Sequence, residues 1–224
     1  MLRALASLTA TVVLALGLGA APAHANPHHP DMMLGPGEAG VHGIKDKALV
    51  RMSKWGFVYI AGQQGSHLTI THDGTNHTLR YVDTGTKRLG SIPRACTRGK
   101  VAKGIAVTCT IPERFRGKTQ FVQVWVRLGN DYVDGHTLGR QFRLWTLADA
   151  GRDVVKGGAG NDFVNGAKDG DRVFGNAGND LLRTGKGNDH LWGGAGKDRL
   201  SCAENYDVAY RDAADSMYQC ERVR

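Results

Sequence analysis

Seven aspartates, Asp153, Asp162, Asp171, Asp180, Asp189, Asp198 and Asp207, stand nine residues apart without a slip. A helix with 3.6 residues per turn has no use for that period, and neither has an ordinary hairpin, whereas a stacked β-solenoid does. Two residues after each aspartate comes an apolar residue: Val155, Val164, Val173, Leu182, Leu191, Leu200 and Ala209. Gly151, Gly160, Gly178, Gly187 and Gly196 precede five of the seven aspartates by two. Acidic glycine-rich loop and short apolar strand therefore alternate in one frame. A Gly- and Asp-rich disordered linker would have no reason to keep the apolar residue in step.

The rest of the 224-residue chain divides around this array. Met1 to Ala25 has a basic Arg3, the apolar run TVVLALGLGAA and a small-residue Ala23-His24-Ala25 site, the pattern of a secretory signal peptide. A mature chain starting at Asn26 is expected to be secreted and extracellular, since no other segment approaches membrane-spanning length. Residues 26–44 are rich in Pro, Gly and His without an apolar period and read as a flexible arm. Residues 45–147 form an all-β section, 148–210 the repeats and 211–224 a C-terminal cap. Four cysteines in an oxidising compartment imply two disulfides.

Within 45–147, short alternating segments lie between turn residues: Phe57 to Ala61, His67 to His72, His77 to Val82, Ile105 to Ile111, Phe121 to Leu128 and Gln141 to Leu147. In FVQVWVRL, Val122, Val124, Val126 and Leu128 are expected on one face. His72-Asp73-Gly74-Thr75-Asn76-His77 supplies a turn between two strands.

Charge is distributed unevenly. Residues 26–147 hold 17 Lys and Arg against 8 Asp and Glu, whereas residues 148–210 hold 8 against 10. The basic half is either a solvated surface or an attractant for an anionic partner such as a cell-wall polymer, a polysaccharide, a lipid surface or nucleic acid. No basic stripe is interleaved with aromatics, so no nucleic-acid partner is expected. His28, His29 and His42 fit a solvated tail better than a metal site, and His67, His72 and His77 straddle a turn without the spacing of a known ligand set. Ser66-His67 is no triad, and the chain has neither a Gly-x-Ser-x-Gly elbow nor His-Glu-x-x-His. The chain reads as a binding protein rather than an enzyme.

The nonapeptides run ADAGRDVVK, GGAGNDFVN, GAKDGDRVF, GNAGNDLLR, TGKGNDHLW, GGAGKDRLS and CAENYDVAY. They resemble the GGxGxDxUx repeat of the repeats-in-toxin (RTX) calcium-binding β-roll. In that family six residues form a calcium loop and three a strand whose middle residue points inward. Glycines permit positive φ and bring carbonyl oxygens together, and aspartate adds charge. Oxygen ligands without Cys or His favour Ca²⁺ over zinc, and the tight octahedron of magnesium fits a carbonyl cage less well. The likeness covers residues 148–210, with a weaker echo in Gly129-Asn130-Asp131-Tyr132-Val133, where Asp131 lies 22 residues before Asp153 and out of frame. The leader, the Cys pair and the Cys220-Glu221-Arg222-Val223 ending resemble the layout of secreted bacterial calcium-binding proteins; toxins and proteases of the group usually lack an N-terminal signal.

Two nonapeptides make one turn of such a roll, so loops on one edge are eighteen residues apart. One column holds Asp162, Asp180 and Asp198, with Gly157, Gly158, Gly160, Gly175, Gly178, Gly193 and Gly196 in its loops; the other holds Asp153, Asp171, Asp189 and Asp207. The resemblance implies two good sites, between Asp162 and Asp180 and between Asp180 and Asp198. The second column, carrying Arg152, Lys168 and Lys186, is expected to be weaker or empty. Carboxylates stacked about 4.8 Å apart repel by roughly 3 kcal/mol per pair at an effective dielectric near 20. The metal-free repeats are therefore expected to be largely unfolded.

The same eighteen-residue turn pairs Cys202 with Cys220 as a C-terminal staple and leaves Cys96 and Cys109 to pair by elimination. It puts Ser216 where the last turn would carry an aspartate, as in a cap without calcium. It also aligns Phe174, Trp192 and Tyr210 in an outer ladder. That ladder either packs against the first half or the tail, the reading favoured here, or offers a platform to sugar or protein. The expected architecture is all-β, a C-terminal parallel β-roll preceded by a short-stranded β section. The expected act is calcium binding, with adhesion to carbohydrate or cell wall as the alternative in which calcium is only structural.

Overall fold

A computed structural model describes residues 46–62 and 65–223; the leader, the arm and His28, His29 and His42 lie outside the described residues. Strands β1 (Lys47–Met52), β2 (Gly56–Ile60), β3 (His67–Asp73), β4 (Thr78–Asp83), β5 (Arg88–Leu89), β6 (Cys96–Gly99) and β7 (Ile105–Thr110) come first. A 3-10 turn at Glu113–Phe115 precedes β8 (Gln120–Trp125), β9 (Tyr132–Asp134), β10 (Phe142–Leu147) and β11 (Val154–Lys156). The repeats supply β12 (Phe163–Lys168), β13 (Arg172–Ala177), β14 (Leu181–Lys186), β15 (His190–Ala195), β16 (Arg199–Ser201) and β17 (Val208–Tyr210). The cap adds β18 (Ser216–Tyr218) and β19 (Arg222–Val223). Among the described residues there is no α-helix, and no helix is long and apolar enough to cross a membrane.

From β8 to β19 successive strands alternate between two sheets, two strands to a turn. One sheet has nine strands in the order β18-β16-β14-β12-β10-β8-β2-β1-β5, and the other ten in the order β19-β17-β15-β13-β11-β9-β3-β4-β7-β6. This is a parallel β-solenoid, and it reaches past the repeats. Strands β2 and β3 stack in parallel on β8 and β9. Beyond them the pairing becomes antiparallel, with β1 on β2 and the β4-β7-β6 meander on β3. The Cys96–Cys109 disulfide ties β6 to β7. The sheets end there in β5, two residues long and parallel to β1, and in β6, four residues long, short edges that offer little template for another strand.

The inward residues form two columns. Val133, Val155, Val173, Leu191 and Ala209 stack in one sheet, and Val124, Thr146, Val164, Leu182 and Leu200 in the other. The apolar members are at most 1% exposed and belong to one core that runs from Ala48 to Ala209. The step is eighteen residues through the repeats but 22 from Val133 to Val155 and 17 from Leu200 to Met217. The nonapeptide frame thus slackens at both ends while the stack continues.

Strand β8 departs from the expected pattern. Val122, Val124 and Val126 do face the core, but Leu128 is 44% exposed, because Arg127 turns left-handed with φ 77° and ends the alternation. Its other face is buried as well. Phe121 and Trp125 join Leu49, Val58, Ile60, Trp145, Leu147 and Phe163 in a second apolar cluster on the outer side of the nine-stranded sheet. Strands β1, β5, β6 and β9 were not among the segments expected from alternation.

Candidate metal centre

Each repeat places its aspartate at the loop-to-strand junction, where one carboxylate oxygen is spent on the neighbouring turn. The N–H of Asp162 donates to Oδ1 of Asp180 at 2.7 Å, and that of Asp180 to Oδ1 of Asp198 at 2.8 Å. In the second column Asp153, Asp171 and Asp189 donate in the same way to Asp171, Asp189 and Asp207, at 2.9, 2.7 and 2.9 Å. All seven aspartates are at most 3% exposed.

The second oxygen is what marks the site. Oδ2 of Asp153, Asp171, Asp180, Asp189 and Asp198 is buried without a hydrogen-bond partner. Asp162 Oδ2 accepts from Gly158 N–H at 2.6 Å, and Asp207 Oδ2 from Ala203 N–H at 3.3 Å. Burial alone does not orphan a carboxylate in this fold. Asp83 is fully buried, yet one oxygen accepts from the N–H groups of His67, Gly85 and Thr86 and the other from the hydroxyls of Tyr59 and Thr86. A buried anionic oxygen left unpaired is costly, so a row of them marks a place for a cation.

Loss of solvent, opposed in part by the backbone N–H bonds, pushes the carboxyl pKa up to about 7 for Asp153 and Asp162, about 8 for Asp171 and Asp180, and about 6 for Asp207. Asp189 and Asp198 are raised for the same reason, although at Asp189 the nearby Thr184 hydroxyl also opposes the rise. Without a cation these groups resist ionisation near neutral pH.

The glycines make the room. A Cβ on Gly157 would stand 2.6 Å from Asp162 Oδ2, one on Gly193 2.6 Å from Asp198 Oδ2, and one on Gly175 would collide with Asp180 Oδ2. All three members of the Asp162 column keep this glycine. In the second column Gly166 keeps it for Asp171, but Ala148, Thr184 and Cys202 replace it. Gly178 and Gly196 adopt φ 122° and 150° against the turn before, a conformation for which glycine is suited.

The two ends of the columns differ from expectation. Asp131 N–H donates to Asp153 Oδ1 at 2.8 Å, and Asp131 in turn accepts from Ser66 N–H. The out-of-frame aspartate therefore heads the second column, with its own Oδ2 buried and unpartnered and its pKa raised by burial to about 9. At the other end Ser216 does not stand in for the aspartate. The shortened 17-residue step brings Asp215 under Asp198, accepting its N–H at 2.9 Å, and Glu221 closes the second column beneath Asp207 at 2.8 Å. The Cys202–Cys220 disulfide, with Cα atoms 5.1 Å apart, staples this last turn.

A second ladder went unread in the sequence. Asn161 Oδ1 accepts from Asn179 N–H and Asn179 Oδ1 from Lys197 N–H, both at 2.9 Å. The signal was an asparagine recurring just before the aspartate. Among the described residues no three His, Cys, Asp or Glu side chains converge on one point, so an ion in these loops would combine aspartate Oδ2 with backbone carbonyl oxygens. His67 instead stacks on Tyr132 and His72 meets the edge of Phe142.

Residues 147–173 and 174–201 match the family model described as RTX calcium-binding nonapeptide repeat (4 copies). The chain carries RTX repeats. No curated protein and no solved structure matches it. The orphaned oxygens and glycine cradles of the RTX loops suit calcium, which takes hard oxygen ligands in a flexible shell. The RTX match ends at residue 201, whereas the solenoid built on it runs from β2 to β19.

Proposed function

We propose that this is an exported calcium-binding protein whose RTX loops hold ions between successive turns, and whose roll is completed by those ions. The observation that carries this reading is the row of buried, unpartnered Oδ2 atoms at Asp153, Asp171, Asp180, Asp189 and Asp198. When bound, calcium supplies the positive charge and the coordination that those oxygens lack. The Asp162–Asp180–Asp198 column, with its three cradle glycines, is the stronger set, and the second column the weaker. Export is supported by the leader-like Met1–Ala25 segment and by two disulfides. Extracellular calcium modules typically bind at about 10⁻⁴ to 10⁻³ M. The act is binding, without catalysis. Calorimetric titration of calcium into the mature chain tests it, with saturable uptake expected and no heat beyond dilution as the contrary result.

The alternative, adhesion to a wall polymer or polysaccharide with calcium as scaffold, draws on the basic character of residues 26–147. The aromatic ladder lends it less. Phe174, Trp192 and Tyr210 stack face to face, with centroids 4.3 and 4.7 Å apart and planes within 8°, and His190 stacks beside them. Ring faces turned to one another leave mainly edges outward, whereas a sugar platform needs an open face.

A further inference from the structure

On the shoulder of the second column, the residues just before the aspartates are Asn130, Arg152, Gly170, Asn188 and Tyr206. Where asparagine stands there, its side chain caps the next turn: Asn130 Oδ1 accepts from Arg152 N–H at 2.9 Å, and Asn188 Oδ1 from Tyr206 N–H at 3.1 Å. Gly170 breaks the series. It offers Asn188 N–H no acceptor, and Arg152 above it offers none to Gly170 N–H. Neither amide has a hydrogen-bond partner among the described residues.

The gap opens a recess of about 420 Å³, and Arg152, Arg172, Asn188 and His190 line it around Gly170. Neither guanidinium has an ion pair among the described residues. Asp153 and Asp171 form its floor, each only 1% exposed; Oδ1 of each accepts a backbone N–H, and Oδ2, buried and unpartnered, is the oxygen assigned above to a cation. The exposed groups around the recess are therefore mainly donors.

We propose that this recess is an oxyanion site that takes a phosphate or sulfate group. Two guanidinium forks match the paired oxygens of such a group, and the unpaired N–H groups of Gly170 and Asn188, on adjacent turns, add two neutral donors. A tetrahedral oxyanion has enough oxygens to meet both forks and both amides. The recess overlies the second-column loops, with Asp153 and Asp171 beneath it, so it rests in part on the calcium reading; calcium uptake of each variant, measured by calorimetry alongside, separates loss of the oxyanion site from loss of the ions.

The test follows amide and imidazole NMR signals of the full mature chain, in calcium, during titration with glycerol 1-phosphate, dimethyl phosphate or sulfate. Saturable shifts centred on Gly170, Asn188 and His190 are expected with at least one probe. Arg152→Gln with Arg172→Gln removes two exposed charges, and Gly170→Asn restores the missing cap without changing charge. Each is expected to weaken binding by about tenfold or more, with the circular dichroism spectrum unchanged. Equal binding of the diester would point to a phosphate within a polymer chain, preference for the monoester to a terminal phosphate, and response to sulfate alone to a sulfate ester. No saturable shift with any probe, or undiminished affinity in both variants, would overturn the proposal.

Discussion

The N–H of Asp162 donates to Oδ1 of Asp180 at 2.7 Å, while Oδ2 of Asp180 stays buried with no partner. One side chain thus joins two turns and leaves half its acceptor capacity for a cation. Asp180→Ala removes a charged acceptor from a buried N–H, about 1.5–3 kcal/mol, and damages the two proposed ion sites on either side. Asp171→Ala acts in the weaker column. Calcium titrations followed by circular dichroism should show the midpoint rising about tenfold or more for Asp180→Ala and less for Asp171→Ala. Equal midpoints would remove the distinction between the columns.

Gly175→Ala places a methyl where Asp180 Oδ2 and the Gly193 carbonyl now sit. Thermal unfolding in calcium should reveal a loss of about 1–3 kcal/mol, the usual range for overpacking. Gly74→Ala is the control, since its Cβ would meet only His72 Cε1 at 3.7 Å. A loss no greater than the control's would mean that the loops are not close-packed around the carboxylates.

Without calcium, pH should act on the roll in a defined direction. Asp162, Asp171 and Asp180 titrate at about 7 to 8 in the folded chain, against about 3.9 for an unfolded aspartate. Between those values the folded chain holds more protons, so metal-free stability is greatest below about pH 4 and falls as pH rises toward 8. Calcium competes with those protons, so its midpoint should drop from pH 6 to pH 8. Urea unfolding in chelator at pH 5 and pH 8.5 checks the first statement, and stability rising with pH across that interval would contradict it.

The Cys202–Cys220 disulfide closes a span of 18 residues around the last turn. The loop-entropy relation gives about 3 kcal/mol for such a closure. Replacing both cysteines with serine should lower stability by that order and raise amide exchange in β18 and β19 before the central repeats. Uniform exchange along the roll would show that the staple is not local.

The central repeats were legible because both their constraints are periodic. The apolar residue two after each aspartate must fill a narrow core, and the aspartate must meet its neighbour one turn away, so Val173 and Asp171 recur in kind at fixed steps. At the ends only the stacking is retained. Asp131 and Val133 hold their places through a 22-residue step, and Asp215 through one shorter by a residue than the frame expects. Spacing alone therefore misplaced the tail aspartate at Ser216. Strand β9 is three residues long and β5 two, too short for alternation to register. The double burial of β8 depends on Val58 and Ile60 of β2 and Trp145 of β10 on either side of it, which the strand's own sequence does not reveal.

Far-UV circular dichroism of the refolded mature chain, first in chelator and then through a calcium titration, tests most directly whether the ions complete the roll. At pH 8.5, where Asp162, Asp171 and Asp180 are largely ionised, the account predicts weak strand signal in chelator, a cooperative rise with calcium in the range of about 10⁻⁴ to 10⁻³ M, and reversal on chelation. A chain that shows its full strand signal in chelator and does not respond to calcium would contradict it.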